Sequence, residues 1–196
     1  MSEGAGPYRV LPEARIAKGD IALRAVEPED IEAIRQWRNA QINVLRQSAP
    51  ITSEEQVRYF STYVWPEKLK AEPARILLAI EDSDELVGYG GLVHISWPNR
   101  RAEVSFLLKP DLERHKKIRG MFFGDFLRLL QILAFEELGL HRLFTETFKY
   151  RAAHIATLEM AGFRLEGCMR AHVFIDGVPT DSLLHGCLTS DWERME

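Results

Sequence analysis

The sequence predicts a single-domain α/β (α+β) fold, with a mixed, mostly antiparallel sheet of about seven strands and about four flanking helices. Strand-like runs over ARILLAIED, ELVGYGGLVHIS and RAEVSFLLK follow one another with short turns, which predicts an antiparallel meander. Strand and helix patterns then alternate through HRLFTETF and RAAHIATLEMAGF, which predicts a parallel crossover. The last two strands flank Asp176-Gly177, a dipeptide typical of hairpin turns.

The first strand is predicted at IALRAV, and it leads into a helix with apolar residues at Ile31, Ile34 and Trp37. A second helix is predicted after Thr52, because Glu55 three residues later completes a capping-box pattern. These two helices precede the meander.

The meander should turn first at Ser83-Asp84. After its third strand, GDFLRLLQILAFEELG has the spacing of an amphipathic helix that Gly139 ends, and the helix over RAAHIATLEMAGF should stop at Gly162. Both helices are expected to pack on the sheet.

The 196-residue length fits one ordinary domain, which we place at residues 21–192. Residues 1–20 are rich in Gly, Ala and Pro and predict a lead-in segment, with an added edge strand around Tyr8 to Leu11.

Composition excludes several classes of protein. No segment approaches the roughly 20 apolar residues that cross a bilayer, and the N-terminus lacks the pattern of a secretory signal, so we expect a cytoplasmic protein without a membrane partner. A net charge of −4 argues against nucleic-acid binding. Cys168 and Cys187 are expected to be small buried thiols, and no His, Asp, Glu or Cys cluster has the spacing of metal ligands.

The segment RAEVSFLLKPDLERHKKIRGMFFGDFLRLLQILAF carries most of the functional information. It predicts an apolar strand, a basic loop with Gly120 and Gly124, and a long helix. A helix start exposes unpaired N–H groups, and glycines let a phosphate approach the backbone closely. The pattern therefore predicts a phosphorylated ligand.

The order of these elements, with NRRAEVSFLL, the Arg-Gly segment, GLHRLFTE and AGFRLEG, resembles the GNAT superfamily of acyl-CoA-dependent N-acetyltransferases. LRAVEPEDIEAIRQWRN, ITSEEQVRYF and GFRLEG are similar to two branches, which acetylate protein N-termini or the 4-amino groups of nucleotide-linked sugars. The resemblance implies acetyl-CoA as cosubstrate, no metal, and direct attack by a primary amine. A non-catalytic GNAT-like module that binds another ligand or partner is the alternative.

In the family, backbone groups of the fourth core strand contact the pantetheine arm, which by position implies Phe106, Leu107 and Leu108. A backbone donor aimed at the developing oxyanion would lower the barrier. The side chains of Phe106, Leu107 and Leu108 would then mainly pack against other residues of the protein.

By the same resemblance, the pyrophosphate loop comprises Arg119, Gly120, Met121, Phe122, Phe123 and Gly124. Phe122 stands where the first signature glycine is expected, and the loop from Pro110 to Arg119 is longer than usual for the family. We hypothesise that Lys116, Lys117 and Arg119 replace part of the backbone cradle, although the two lysines also fit a solvated charge run. Arg151 occupies a position where the family commonly has Asn and joins the expected CoA-binding residues.

For proton transfer, Glu103 is the leading base, and an ion pair with Arg100 or Arg101 is the competing interpretation. His94 could relay a proton near neutral pH, or it is an ordinary histidine at a strand end. Leu158 replaces the family's usual tyrosine acid, so Tyr150 is considered as a substitute donor or as a packing residue.

The acceptor should meet the segment from Trp37 to Arg46 and the closing hairpin. Arg38, Asn39 and Arg46 fit a nucleotide diphosphate or a peptide carboxylate, whereas Trp37 also fits a core position. The expected partner is a small-molecule or peptide amine, and a homodimer is left open.

Overall fold

The computed structural model describes residues 4–45, 47 and 49–192, without the side chains of Lys116 and Lys117. Within these residues, eight strands form one sheet in the order β1-β2-β3-β4-β5-β6-β8-β7. The strands are β1 (Arg15–Lys18), β2 (Ile21–Ala25), β3 (Ile76–Asp82), β4 (Glu85–Ser96), β5 (Arg101–Leu108), β6 (Arg142–Phe148), β7 (Arg164–Ile175) and β8 (Val178–Leu188). All neighbours are antiparallel except β5 and β6. The predicted fold class is confirmed.

Six α-helices flank this sheet in the described part of the chain, more than the predicted four. They are α1 (Ile31–Ala40), α2 (Ser53–Tyr63), α3 (Pro110–Arg114), α4 (Lys116–Gln131), α5 (Ala152–Met160) and α6 (Thr189–Trp192). A wider π turn, Ile132–Glu137, continues α4. Short helices such as α3 and α6 lack the repeated apolar spacing from which a helix is predicted.

The lead-in segment packs on the sheet. The added edge strand is β1, which pairs with β2, rather than the predicted stretch from Tyr8 to Leu11. Tyr8 is instead a core residue whose hydroxyl accepts a 3.0 Å hydrogen bond from the Leu77 amide. Lys68 donates hydrogen bonds to the carbonyl oxygens of Gly4 and Gly6, at 2.6 and 2.7 Å. The domain limits of 21–192 remain a prediction.

The local signals for helices and turns are confirmed. Thr52 caps α2 through a capping box, in which its hydroxyl accepts from the Glu55 amide at 3.2 Å and its amide donates to the Glu55 carboxylate at 2.8 Å. Ser83 and Asp84 have φ values of 50° and 66°, and they connect β3 to β4. Asp176-Gly177 forms the turn between β7 and β8.

The core lies on both faces of the sheet. Leu77 and Leu78 are adjacent in β3 but belong to different apolar clusters, because successive strand residues point to opposite faces. One cluster packs under α4 and the other under α1 and α2, with members such as Phe126, Ile34 and Phe60. Burial on both faces explains why ILLAI is continuously apolar.

The parallel pair is short. Register between β5 and β6 extends only from Arg101–Arg142 to Glu103–Phe144, after which no further ladder pairs join the two strands. The crossover between them runs through α4, as predicted. The sheet therefore opens along the C-terminal halves of β5 and β6.

The prediction of a glycine loop before α4 is wrong. α4 begins at Lys116, so Arg119, Gly120 and Gly124 lie within the helix, and α3 occupies part of the segment expected to be a loop. Neither glycine has a positive φ. A Cβ atom on Gly120 or Gly124 would lie 3.7 or 3.9 Å from Thr157, so both residues face α5 at ordinary packing distance.

None of the helices in the described residues has the length and apolar character needed to cross a bilayer. Cys187 is buried as expected, whereas Cys168 is exposed because it lies on β7, the last strand of the sheet.

We predict that Gly120→Ala and Gly124→Ala each raise the free energy of unfolding by about 0.5–1 kcal/mol, because alanine costs less backbone entropy inside a helix. Urea denaturation of the single variants measures this effect. Gly90→Ala in β4 is the contrasting variant, since its Cβ would overlap the Ser105 carbonyl oxygen, and it should lose about 1–3 kcal/mol. Destabilisation by the two helix substitutions would contradict the helical placement of these glycines.

Candidate active site

A cleft of about 250 Å³ opens where β5 and β6 separate. Thr145 of β6 bridges the start of this gap, where its hydroxyl donates to the Val104 carbonyl at 3.4 Å. Beyond this point, strand geometry directs alternate backbone N–H and C=O groups of β5 toward the gap. The cleft can therefore accept an extended ligand that hydrogen-bonds to a strand edge.

A second cavity of about 630 Å³ lies between α1, α2 and the sheet. Both cavities are lined by Arg38, Val93, His94 and Ser105. We name this cavity the acceptor-side cavity, because Arg38 of the segment predicted to meet the acceptor lines it. A ligand in the cleft and a second ligand in the acceptor-side cavity would meet at these four residues.

His94 and Glu103 form a hydrogen-bonded pair at this junction. The distance between His94 Nδ1 and Glu103 Oε2 is 2.8 Å, and the two side chains are 71% and 10% exposed. His94 has a φ of 50° and lies where the β4–β5 register is interrupted, between Val93 and Ser96. Such irregularities re-aim side chains, and here His94 points toward both cavities. No residue in the described part of the chain bonds to its Nε2 atom, which is therefore available to another partner.

The acceptor-side cavity carries two arginines whose hydrogen bonds go to neutral groups. Arg38 donates to the Tyr89 hydroxyl at 2.7 Å and to the Gln47 side chain at 3.1 Å. Arg75 donates to the Tyr59 hydroxyl at 2.8 Å. Burial raises the pKa of Tyr89, so this hydroxyl stays neutral at physiological pH. Among the ion pairs of the described residues, none involves Arg38 or Arg75.

Three rings in contact line the cleft on the side of α4 and α5. The ring centroids of Phe106 and Phe123 are 4.5 Å apart, and those of Phe123 and His154 are 3.9 Å apart. Burial, followed by repulsion from Arg151, lowers the pKa of His154 well below its ordinary value. His154 is therefore neutral at pH 7.

The basic residues predicted to bind phosphate are partly neutralised. Arg119 and Arg151 contact the same oxygen of Glu113, at 3.1 and 3.3 Å. Arg151 also lines the cleft, whereas the Lys116 and Lys117 side chains lie outside the described residues.

Most of the other residues predicted to contact CoA pack into the apolar core. Leu107 and Leu108 are buried, and Phe122 packs against the core under α4. Met121 is exposed. The backbone role proposed for β5 stays a prediction, and Phe106 joins the lining of the cleft.

The predicted acceptor residues divide into two groups. Arg38 lines both cavities, whereas Trp37 packs against the core beneath α1 and α2. Asn39 is a structural residue in this region, because its amide donates to the Ile51 carbonyl at 2.8 Å. Arg46 lies outside the described residues.

Tyr150 is placed at the edge of the site. Its hydroxyl donates to the Asn43 carbonyl at 2.8 Å, and the residue is not part of the cleft lining. Burial raises its pKa. Its role as an acid stays a prediction.

Sequence reasoning missed Glu113, Arg75 and Tyr89, and it gave His154 little weight. Glu113 had a signal, since it is an acidic residue beside the basic run from Arg114 to Arg119. Arg75 and Tyr89 had no such signal in the sequence, because only the folded sheet brings them to the acceptor-side cavity.

Residues 23–184 match the family described as acetyltransferase (GNAT) domain, so the chain belongs to this family. It is an acyl-CoA-dependent N-acetyltransferase. Among the described residues, no group of three or more His, Cys, Asp or Glu side chains could hold a metal ion.

Two curated relatives support this class. The chain is 24% identical over 173 residues to the uncharacterized N-acetyltransferase p20 of Bacillus licheniformis, covering 88% of this chain and 94% of p20. It is 28% identical over 101 residues to the uncharacterized N-acetyltransferase YoaA of Bacillus subtilis (strain 168), covering 52% and 54% of the two chains.

Solved structures with the same fold include the spermidine N-acetyltransferase of Vibrio cholerae in complex with CoA and spermine, with a TM-score of 0.76 and 20% identity over 89% of this chain and 98% of that one. A dodecameric structure of that enzyme has a TM-score of 0.74 and 22% identity over 90% and 99% of the chains. At this identity the likeness establishes the fold alone.

We predict that acid destabilises the protein partly through His154. The pKa of His154 is lower in the folded state than in the unfolded state, where it is about 6.5. Below pH 6.5 the unfolded state therefore binds more protons. As the pH falls, one such group lowers the free energy of unfolding by up to about 1.4 kcal/mol per pH unit. His154→Phe, which keeps a ring against Phe123, should flatten the fall in unfolding free energy between pH 7 and 5. The exposed His141→Gln variant should keep the wild-type slope. Equal slopes for wild type and His154→Phe would rule out this contribution.

Proposed function

We propose that this enzyme transfers an acetyl group from acetyl-CoA to an amine on an anionic carrier, and specifically to the 4-amino group of a nucleotide-linked sugar. The observation that carries this proposal is the pair Arg38 and Arg75 in the acceptor-side cavity, both bonded to neutral groups. Glu55 also lines this cavity, where its carboxylate accepts from the Thr52 amide and offsets one of the two arginine charges, so the lining keeps an excess of one positive charge. The cavity therefore favours a negatively charged ligand.

The residues of the cleft fit a CoA thioester. β5 and β6 separate beside Phe106, which leaves strand-edge backbone groups for an amide-containing arm. Arg119 and Arg151 provide positive charge at the α4 and α5 side. Acetyl-CoA supplies the activated acyl group when bound.

In the proposed mechanism, the acceptor-side cavity positions the neutral amine at the junction with the cleft. His94 Nε2 accepts the proton that the amine loses, while Glu103 holds Nδ1 and stabilises the imidazolium. The amine nitrogen then bonds to the acyl carbon, and backbone N–H groups of β5 stabilise the negative charge that develops on the acyl oxygen. When the C=O bond re-forms, the C–S bond breaks and CoA leaves as a thiolate, which a thiol of pKa about 8.5 can do without a general acid. This assignment makes His94 the direct base and Glu103 its positioning carboxylate.

A polyamine is the second candidate acceptor, because the structural neighbours include a spermidine N-acetyltransferase with spermine bound. A polyamine is cationic, so Arg38 and Arg75 would repel it. A protein N-terminus is the other acceptor class that the sequence resemblance implies. The homodimer also stays a prediction.

We predict that incubation with acetyl-CoA acetylates a UDP-linked 4-amino sugar faster than spermidine or an N-terminal peptide, as measured by mass spectrometry. Arg38→Gln and Arg75→Gln should each raise KM for the sugar nucleotide about tenfold or more, because each removes a charge-assisted hydrogen bond. Arg58→Gln is the control, since this exposed arginine of α2 is absent from the cavity lining. Preferential acetylation of spermidine would overturn the proposed acceptor class while leaving the enzyme class intact.

We also predict that His94→Gln lowers kcat/KM for the best acceptor by about 10²–10⁴-fold, because it removes the general base. Glu103→Gln should lower it less, since the imidazole keeps a hydrogen-bond partner. Glu85→Gln, which removes a carboxylate exposed on β4, should retain wild-type activity. Full activity of a folded His94→Gln variant would exclude His94 as the base.

A further inference from the structure

A cluster of three charged side chains connects α3, α4 and α5 beside the cleft. Glu113 contacts Arg119 and Arg151 through the same atom, Oε1, at 3.1 and 3.3 Å. The side chains of these residues are only 14–15% exposed. The cluster is therefore largely shielded from solvent, where electrostatic interactions are stronger than at the surface.

The charges of this cluster do not balance. Two guanidinium groups face one carboxylate, and in the ion pairs of the described residues Glu113 is the acid that both arginines contact. Burial lowers the pKa of Arg151, and the charge of Arg119 acts in the same direction. His154 is nearby and neutral, so it adds no further positive charge. A ligand with two negative charges would compensate these arginines better than one glutamate.

The cluster reaches the cleft through one of its members, Arg151. Arg151 lines the cleft together with Phe106 and His154. Glu113 belongs to α3, a five-residue helix that starts two residues after β5. Leu112 packs against the core, whereas Asp111 and Arg114 of the same helix are largely exposed. Because so little of α3 is buried, its displacement costs few apolar contacts.

We propose that Glu113 is an internal counter-ion that occupies the diphosphate site formed by Arg119 and Arg151, and that the diphosphate of CoA displaces it. This inference rests on the proposed use of a CoA thioester. In the free enzyme the carboxylate neutralises part of the charge of the two arginines. When CoA binds, its diphosphate oxygens pair with the guanidinium groups of Arg119 and Arg151. Glu113 is released, and α3 moves away with it. Competition by Glu113 then lowers the apparent affinity for CoA.

The matched variants are Glu113→Gln and Asp111→Asn. Each removes one negative charge from α3, but Asp111 is 88% exposed and contacts Arg114 rather than the arginine pair. Calorimetry with CoA, dephospho-CoA and pantetheine separates the contributions of the ligand, because dephospho-CoA keeps the diphosphate and pantetheine lacks all phosphates. Thermal unfolding shows whether each variant is folded.

We expect Glu113→Gln to bind CoA and dephospho-CoA about fivefold or more tighter than wild type, because the competing anion is removed. Pantetheine binding should be unchanged, and Asp111→Asn should match wild type for all three ligands. Equal or weaker CoA binding by Glu113→Gln, or an equal gain for Asp111→Asn, would overturn the counter-ion role. Failure of every protein, wild type included, to bind CoA would instead overturn the proposed function on which this inference rests.

Discussion

The early separation of β5 from β6 is the constraint on which the rest of the site depends. Only Arg101–Glu103 and Arg142–Phe144 are in ladder register, so the backbone groups beyond them are left for a ligand. A parallel neighbour requires a crossover, and α4 supplies it. That crossover brings Phe123 to one side of the gap, where its ring packs at a tilt against Phe106. The cleft and its aromatic wall thus result from one interrupted strand pair.

The proposed acceptor depends on charge rather than on the fold, because Arg38 and Arg75 line the acceptor-side cavity. A spermidine N-acetyltransferase of Vibrio cholerae shares the fold at 20% identity, and this likeness does not determine the acceptor here. Fold and function are separable in this way, because the sheet sets where two ligands meet while a few side chains select the ligand. Tyr89 positions Arg38 by accepting its hydrogen bond through a neutral hydroxyl, so the positive charge of Arg38 is not neutralised.

Local signals in the sequence predicted most of the fold. The capping box at Thr52 and the turn at Asp176-Gly177 depend on neighbouring residues, and both appear as predicted. The segment before α4 was mispredicted because its glycines suggested a loop, whereas Gly120 and Gly124 face Thr157 of α5 inside a helix. A contact between helices that are distant in sequence leaves no periodic pattern from which it could be inferred.

The sequence by itself determined the order of strands and helices from β2 to β8, apart from α3 and the start of α4. It also determined the GNAT resemblance and the choice of Glu103, His94 and Arg38 as candidate residues. Tertiary structure decided what those residues contact. It placed His94 at the junction of two cavities and paired it with Glu103, and it put Glu113 between two arginines. Apolar periodicity and turn chemistry act over a few residues, so they can be read along the chain. Charge pairing and cavity lining join residues from separate elements, so they exist only after the sheet has formed.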